Sequence, residues 1–205
     1  MQRDAGLIGI DASAEMVAVA KAHHVDPRVS FEARPASSLG ELDGRFDRVV
    51  SNAAFWQFPR LTPVFEGLER KVRPGGRVLF NVPAERIDGE RTPIHPFQAA
   101  LMREIDEAST ESAPPVDRLS RERLRELAER HGFEFELPRR LEYATTQREL
   151  YELMSLPAMI EPLTPELDDA TREAILERAI ARTDGDERVA VPWLFFSLTR
   201  RPDGR

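Results

Sequence analysis

Over residues 5–82 the chain alternates short apolar runs with helix-forming stretches, and few architectures accept that order. Ala5-Gly6-Leu7-Ile8-Gly9-Ile10 is apolar and stops at Asp11, as a strand buried on both faces does. Ser13 follows as an N-cap, and Ala14–Ala22 is rich in strong helix formers. Val29–Ala33 and Phe46–Asn52 read as the next strands, the latter carrying the β-branched pair Val49-Val50. Leu61–Val72 reads as a helix, closed by Arg73-Pro74-Gly75-Gly76, and Arg77–Val82 as a fourth strand. Strand, helix, strand, strand, helix, strand at this spacing predicts an α/β fold, a doubly wound, mostly parallel sheet with helices on both faces.

Beyond Pro83 helices dominate. Pro93–Asp106 predicts a helix and Glu111–Asp117, with Pro114-Pro115, a loop. Ser120–His131 predicts a helix whose Leu124, Leu127 and Ala128 share one face, with Gly132 as its stop. Phe133–Tyr143 reads as a fifth strand that Pro138 weakens at its centre. Gln147–Arg182 is helical in pattern, interrupted by Pro157, Pro162 and Pro165. Val189–Thr199 is the last strand, where Pro192 is tolerable only at an edge or bulge. The expectation is one domain over residues 1–200, with a core part at 6–83, variable helical parts at 84–131 and 147–188, and a tail at 201–205.

Composition narrows the function classes. At 41% hydrophobic and 32% charged residues the chain is globular in type. No apolar run approaches the roughly 18–20 residues that span a bilayer, and Met1–Gly6 is too polar for a secretory signal. A cytoplasmic protein without a membrane partner is expected. A net charge of -7 argues against nucleic acid, which calls for a basic surface. With no cysteine there is no disulfide, thiolate ligand or cysteine nucleophile. His23 and His24, adjacent on a helix, point about 100° apart and cannot share a metal; His95 and His131 stand alone, so no metal is expected.

Three segments carry a further signal: Gly9-Ile10-Asp11-Ala12-Ser13-Ala14-Glu15-Met16, Phe46-Asp47-Arg48-Val49-Val50-Ser51-Asn52-Ala53-Ala54-Phe55-Trp56, and Leu68 through Phe80. In these residues and their order the chain resembles the class I S-adenosylmethionine-dependent methyltransferase family, well over residues 6–83 and loosely over 120–200. The resemblance implies S-adenosylmethionine as cofactor, methyl transfer as activity, an antiparallel hairpin for the last two strands, and a helical lid inserted before the last one. It gives Asp11 the two ribose hydroxyls, since a carboxylate at a strand end accepts two bonds from a vicinal diol. Read alone, Asp11 is equally a cap or turn residue. By the same resemblance Ala12 and Met16 lie beside the adenine, and Ser51, Asn52 and Ala53 neighbour the cofactor. Phe55 and Trp56 wall the substrate pocket or pack in the core. His95, in the loop Thr92–Phe97, is the candidate substrate-side base; its other reading is a packed or solvated histidine. Tyr143 and Tyr151 are weaker candidates. In-line methyl transfer needs alignment and exclusion of water, and a base only where the acceptor is protonated, so no other catalytic residue is nominated.

The chain departs from the family pattern twice. Pro35 stands where the family has an acid for the adenine amino group, so adenine recognition falls to the backbone near Ala36 and to Ser37. Losing one neutral hydrogen bond costs about 0.5–1.5 kcal/mol. The ribose acid follows the glycine-rich fingerprint by about 20 residues, so with the acid at position 11 the fingerprint and first strand are expected before Met1. Two strand edges are then exposed, and a swapped segment or another copy in a homo-oligomer would complete the sheet. A small organic acceptor is the expected substrate, chosen by Glu85–Asp117 and Gln147–Arg188. Leu150, Leu153, Met154, Met159 and Ile160 face either it or the core. The rival functions are a catalytically silent binding or assembly protein and a non-methylating enzyme on the same fold.

Overall fold

The computed structural model describes residues 6–108 and 118–202. In chain order its elements are β1 (Leu7–Asp11), α1 (Ala14–His23), β2 (Val29–Ala33), β3 (Phe46–Ser51), α2 (Thr62–Lys71), β4 (Val72–Pro83), α3 (Pro96–Ala108), α4 (Arg121–Arg130), β5 (Phe133–Phe135), β6 (Arg139–Thr146), α5 (Gln147–Met154), α6 (Pro157–Ile160), α7 (Asp169–Ala181) and β7 (Arg188–Arg200). Short 3-10 turns at Ala36–Glu41, Phe55–Gln57, Ala84–Arg86 and Glu161–Leu163 join them. The α/β class expected from the sequence is observed. The expected loop at Glu111–Asp117 lies outside the described residues, as do Ala5 and the end of the tail.

The chain forms two compact units. The first takes residues up to Asn81, Arg121–Pro138 and from Phe196 onward; the second takes Val82–Ser120 and Arg139–Phe195.

In the first unit, β1 and β2 pair in parallel with Leu7 opposite Val29 and Asp11 opposite Ala33. They form a two-stranded sheet of their own, separate from the order β3-β4-β7-β5. Among the described residues no strand joins the two sheets, which leaves the two exposed strand edges that the sequence leads one to expect. β3 and β4 are parallel, and Val49, Val50 and Ser51 lie opposite Val78, Leu79 and Phe80. Strand side chains alternate between faces. One face of this pair turns Val78 and Phe80 into the core. The other leaves Val50 68% and Leu79 39% exposed, although parallel strands are ordinarily covered on both faces.

The core behind the buried face is aromatic. Phe55 stacks on Phe80 at 3.9 Å between ring centroids, and Phe80 on Phe196 at 4.8 Å. Phe65 meets Phe55 edge-on at 6.2 Å. Each buried ring contributes on the order of 1.5–3 kcal/mol by leaving water. Helix α2 seals one side with Val64, Phe65 and Leu68. It comes close to the Ala36–Glu41 turn because Gly67 has no side chain; a Cβ there would stand 2.8 Å from the Gly40 nitrogen. Helix α4 buries Leu124, Leu127 and Ala128, the face its spacing predicts.

Two boundaries differ from expectation for local reasons. The break expected at Arg73–Gly76 lies inside β4: Phe46 pairs with Val72 and Arg48 with Arg77, so the intervening residues bulge from the ladder. Pro74 has no N–H to lose there, and Gly75 takes a φ of 74°. The fifth strand, expected over Phe133–Tyr143, is two strands, β5 and β6, parted at Glu136–Pro138. Proline cannot donate to the ladder, and the chain re-enters it only at Arg139.

In the second unit, β6 runs antiparallel to the first part of β7, with Arg139 opposite Phe195 and Thr146 opposite Arg188. Pro192 sits opposite Glu142 within that ladder. Helices α3 and α7 bury Phe97, Ala100, Leu101, Ile105, Ile175, Leu176 and Ala179 together with Ile160, and Leu150 and Met154 pack against this cluster. Buried among them, Glu104 is paired by Arg178 at 2.5 Å and Arg182 at 2.7 Å, which is what a carboxylate removed from water requires.

Candidate functional site

The predicted cofactor residues of the first unit gather at the carboxyl ends of its parallel strands. Asp11 closes β1 beside Ala33, the last residue of β2, and the Arg34 N–H donates to the Asp11 carbonyl at 2.7 Å. One Asp11 carboxylate oxygen accepts the Ser13 N–H at 2.8 Å. That is the turn role the sequence also allowed. A carboxylate has about four acceptor sites, and Asp11 is exposed, so the turn does not use it up.

Ser13 caps α1 by accepting the Met16 N–H at 3.2 Å and donates to Glu15 at 2.8 Å. Its own backbone N–H and then the Ser13 hydroxyl hold the Glu15 carboxyl below the usual carboxylate range. Ala12 and Met16 lie on the surface beside Asp11. In the Pro35 segment, the Ser38 hydroxyl donates to the Pro35 carbonyl at 3.0 Å. Arg34 pairs with Glu32 at 3.2 Å and Glu41 at 2.9 Å. These bonds tie down the turn that carries Ala36 and Ser37, and Ser37 remains exposed.

The second cluster follows β3. Ser51 ends the strand opposite Phe80, and Asn52-Ala53-Ala54 leads into the turn at Phe55. Ala53 has a φ of 54°, and among the described residues it alone, glycines aside, has a positive φ. For an alanine that conformation costs roughly 1–2 kcal/mol, so something must hold it. The holder is Asn81, 7% exposed on the neighbouring strand β4. Its Oδ1 accepts the Ala53 N–H at 2.7 Å, and its Nδ2 donates to Asn52 Oδ1 at 2.8 Å. Gln57 Nε2 donates to the Ala53 carbonyl at 3.3 Å. Sequence reasoning passed over Asn81, and only its polarity inside the run Val78–Val82 could have drawn notice.

The aromatics that follow divide. Phe55 is enclosed by Phe58, Phe65 and Phe80, so its ring serves the core and offers no face to a ligand. Trp56 is half-buried.

The remaining candidates are in the second unit. His95 is buried directly before α3, and its carbonyl accepts the Ala99 N–H. Tyr143 is exposed on β6. The Tyr151 hydroxyl donates to Glu177 at 2.6 Å, and that carboxylate pushes the phenol above its usual range. A hollow of about 280 Å³ in this unit is lined by Tyr151, Ser155, Ile160, Arg172 and Leu176 among others. Another, of about 540 Å³ in the first unit, lies against Arg60, Pro63, Glu66 and Leu127. Neither includes a residue of the two strand-end clusters, which lie open at the surface. Among the described residues no three His, Asp or Glu side chains gather as a metal site would need, and no helix is long and apolar enough to cross a membrane.

Comparison with known proteins adds to this geometry. A family described as a methyltransferase domain matches residues 1–80. Trans-aconitate 2-methyltransferase of Deinococcus radiodurans is 38% identical over 80 residues, which are 39% of this chain and 30% of that protein. The chain therefore spans under a third of that curated relative's length. Among solved structures, the YcgJ protein of Bacillus subtilis superposes with a TM-score of 0.59 at 17% identity, covering 97% of this chain and 83% of that one. The [4+2]-cyclase SpnF superposes with a TM-score of 0.54 at 16% identity, covering 96% and 66%. At such identities the likeness is one of fold.

Proposed function

From the match of its first 80 residues to a methyltransferase-domain family, on a fold of the class I S-adenosylmethionine-dependent methyltransferase type, we propose that this chain binds S-adenosylmethionine and serves methyl transfer to a small organic acceptor. The observation that carries the reading is Asp11, an exposed carboxylate at the end of β1 with accepting capacity left over from its turn.

The residues present fit the nucleoside part of the cofactor. Asp11 would hold the ribose hydroxyls, Ala12 and Met16 would flank the adenine, and Ala36 and Ser37 would meet its edge in place of the acid that Pro35 displaces. Ser51, Asn52 and Ala53 would lie toward the reacting end. Bound there, the cofactor supplies a methyl group already activated by its sulfonium, so the protein's task is alignment and exclusion of water. His95 is the proposed base for a protonated acceptor.

Two features support a small acceptor. The relative from Deinococcus radiodurans is named for trans-aconitate, a small organic acid, and the net charge of -7 disfavours nucleic acid. The second sheet edge of β1 and the exposed Val50 and Leu79 support a further strand or copy that completes the sheet. A second reading has a specific observation behind it: Pro35, together with a cyclase on the same fold, favours a relative that holds its ligand without methylating.

Calorimetric titration with S-adenosylhomocysteine tests the reading. The chain should bind in the micromolar range, and Asp11→Ala should weaken binding by at least about 100-fold, from two charge-assisted hydrogen bonds worth roughly 1.5 kcal/mol or more each. A folded chain that does not bind would overturn it. Binding without transfer of labelled methyl to any small acid, phenol or amine would favour the second reading.

A further inference from the structure

We infer that Asn81 is a positioning residue for the reacting end of the site: the buried amide that spans from β4 to the Asn52-Ala53 loop sets the conformation in which that loop meets its ligand. The inference rests on the proposed cofactor site and adds to it a residue that none of the matched motifs assigns.

The two hydrogen bonds of the Asn81 amide fix which way round it sits. The Ala53 N–H can only donate, so the atom it meets at 2.7 Å must be Asn81 Oδ1. The other end of the amide is then Nδ2, a donor, and the atom it meets at 2.8 Å must be Asn52 Oδ1. One buried amide thus fixes both a backbone torsion and a side-chain orientation. The backbone torsion is the left-handed φ of 54° at Ala53, which an alanine does not hold unaided. The side chain is Asn52, exposed at the strand end with its oxygen committed inward, so that it offers its amide N–H groups outward. The anchor itself does not yield easily, because a buried amide that loses its partners stays desolvated. Asn81 follows Phe80, which is stacked between Phe55 and Phe196, so its strand is held on the core side as well.

A residue that merely filled space would not distinguish oxygen from nitrogen at its tip; a positioning amide does. Asn81→Asp keeps the size and keeps an acceptor for the Ala53 N–H, but it has no N–H for Asn52, whose amide must turn over. Ala53→Gly makes the left-handed torsion accessible without the anchor.

The test is a titration of the full 205-residue chain with S-adenosylhomocysteine, with melting temperature and amide hydrogen exchange at Ala53 followed on the same samples. Variants are Asn81→Asp, Asn81→Leu, Ala53→Gly and the double variant Asn81→Leu with Ala53→Gly. The expected result is at least tenfold weaker binding for folded Asn81→Asp, weaker binding with faster exchange of the Ala53 N–H in Asn81→Leu, and recovery of part of the affinity lost in Asn81→Leu by the added Ala53→Gly. If folded Asn81→Asp binds within twofold of the unmodified chain, the positioning role is overturned while the cofactor reading stands. If the unmodified folded chain does not bind, the cofactor reading falls, and the positioning role with it. Should Asn81→Leu fail to fold, the near-isosteric Asn81→Asp still decides.

Discussion

At the scale of single residues, the most exacting positions are those where the backbone leaves ordinary torsions. Ala53 is one, and Gly132 is another. Gly132 ends α4 with a φ of 75°, as its place after His131 predicts. Its missing side chain also matters, because a Cβ there would collide with the Arg200 guanidinium. That group donates to the Gly132 carbonyl at 3.0 Å and to the His131 carbonyl at 3.3 Å. Gly132→Ala should therefore lower stability by about 1–2 kcal/mol from the torsion alone, with the displaced arginine adding to it. Urea denaturation measures this, and an unchanged midpoint would refute it. Gly132 was legible because a helix stop is a local event. Asn81 was not, because its meaning depends on Ala53, a residue on another strand whose torsion no sequence displays.

Elements show the same division between local and remote causes. The capping of α5 is local. Thr146 accepts the Glu149 N–H at 3.2 Å, and the Glu149 carboxylate accepts from the Thr146 N–H at 2.9 Å and the Thr145 hydroxyl at 2.6 Å. The Thr145 hydroxyl first, and the Thr146 N–H next, hold this carboxyl below its ordinary value of 4.5. A carboxyl depressed by folding stabilises the native state above its unfolded value, and that contribution is lost as pH falls through the lowered folded value. The melting-temperature gap between the unmodified chain and Glu149→Ala should be full near neutral pH and shrink below about pH 4.5. A gap that does not vary with pH would exclude this origin.

Other elements depend on distant partners. Pro138 advertised a weak strand centre, yet the gap between β5 and β6 is defined only by where β7 accepts pairing again. Arg73–Gly76 carries every mark of a loop and is instead a bulge, since β3 is there to pair on either side of it. Phe55 could be read as pocket or core until Phe80 and Phe196 are seen stacked beyond it.

On the scale of the whole molecule, alternating apolar runs were enough to foresee an α/β class with parallel pairs. Which separated stretches of chain join in one unit they could not foresee, because that follows from which strand finds which neighbour. The uncovered face is a consequence at this scale. Val50 and Leu79 lie side by side in register and open to solvent, and β1 has an edge without a partner strand among the described residues. Exposed apolar strand surface promotes association. The isolated chain should self-associate as concentration rises, and Val50→Lys should move its sedimentation toward that of a single 23.3 kDa chain. Identical sedimentation of the two proteins would show that this face plays no part.

Strand β7 bears on how the protein comes into being at the ribosome. Its Phe196–Arg200 portion belongs to the first unit and its Arg188–Phe195 portion to the second, and it follows every other described element in the chain. Synthesis thus delivers Phe80, Phe133 and all of β6 well before the strand that covers them. Until this strand emerges Phe80 lacks the Phe196 ring that stacks on it and β6 lacks its partner strand, so part of the core of each unit stays uncovered during synthesis.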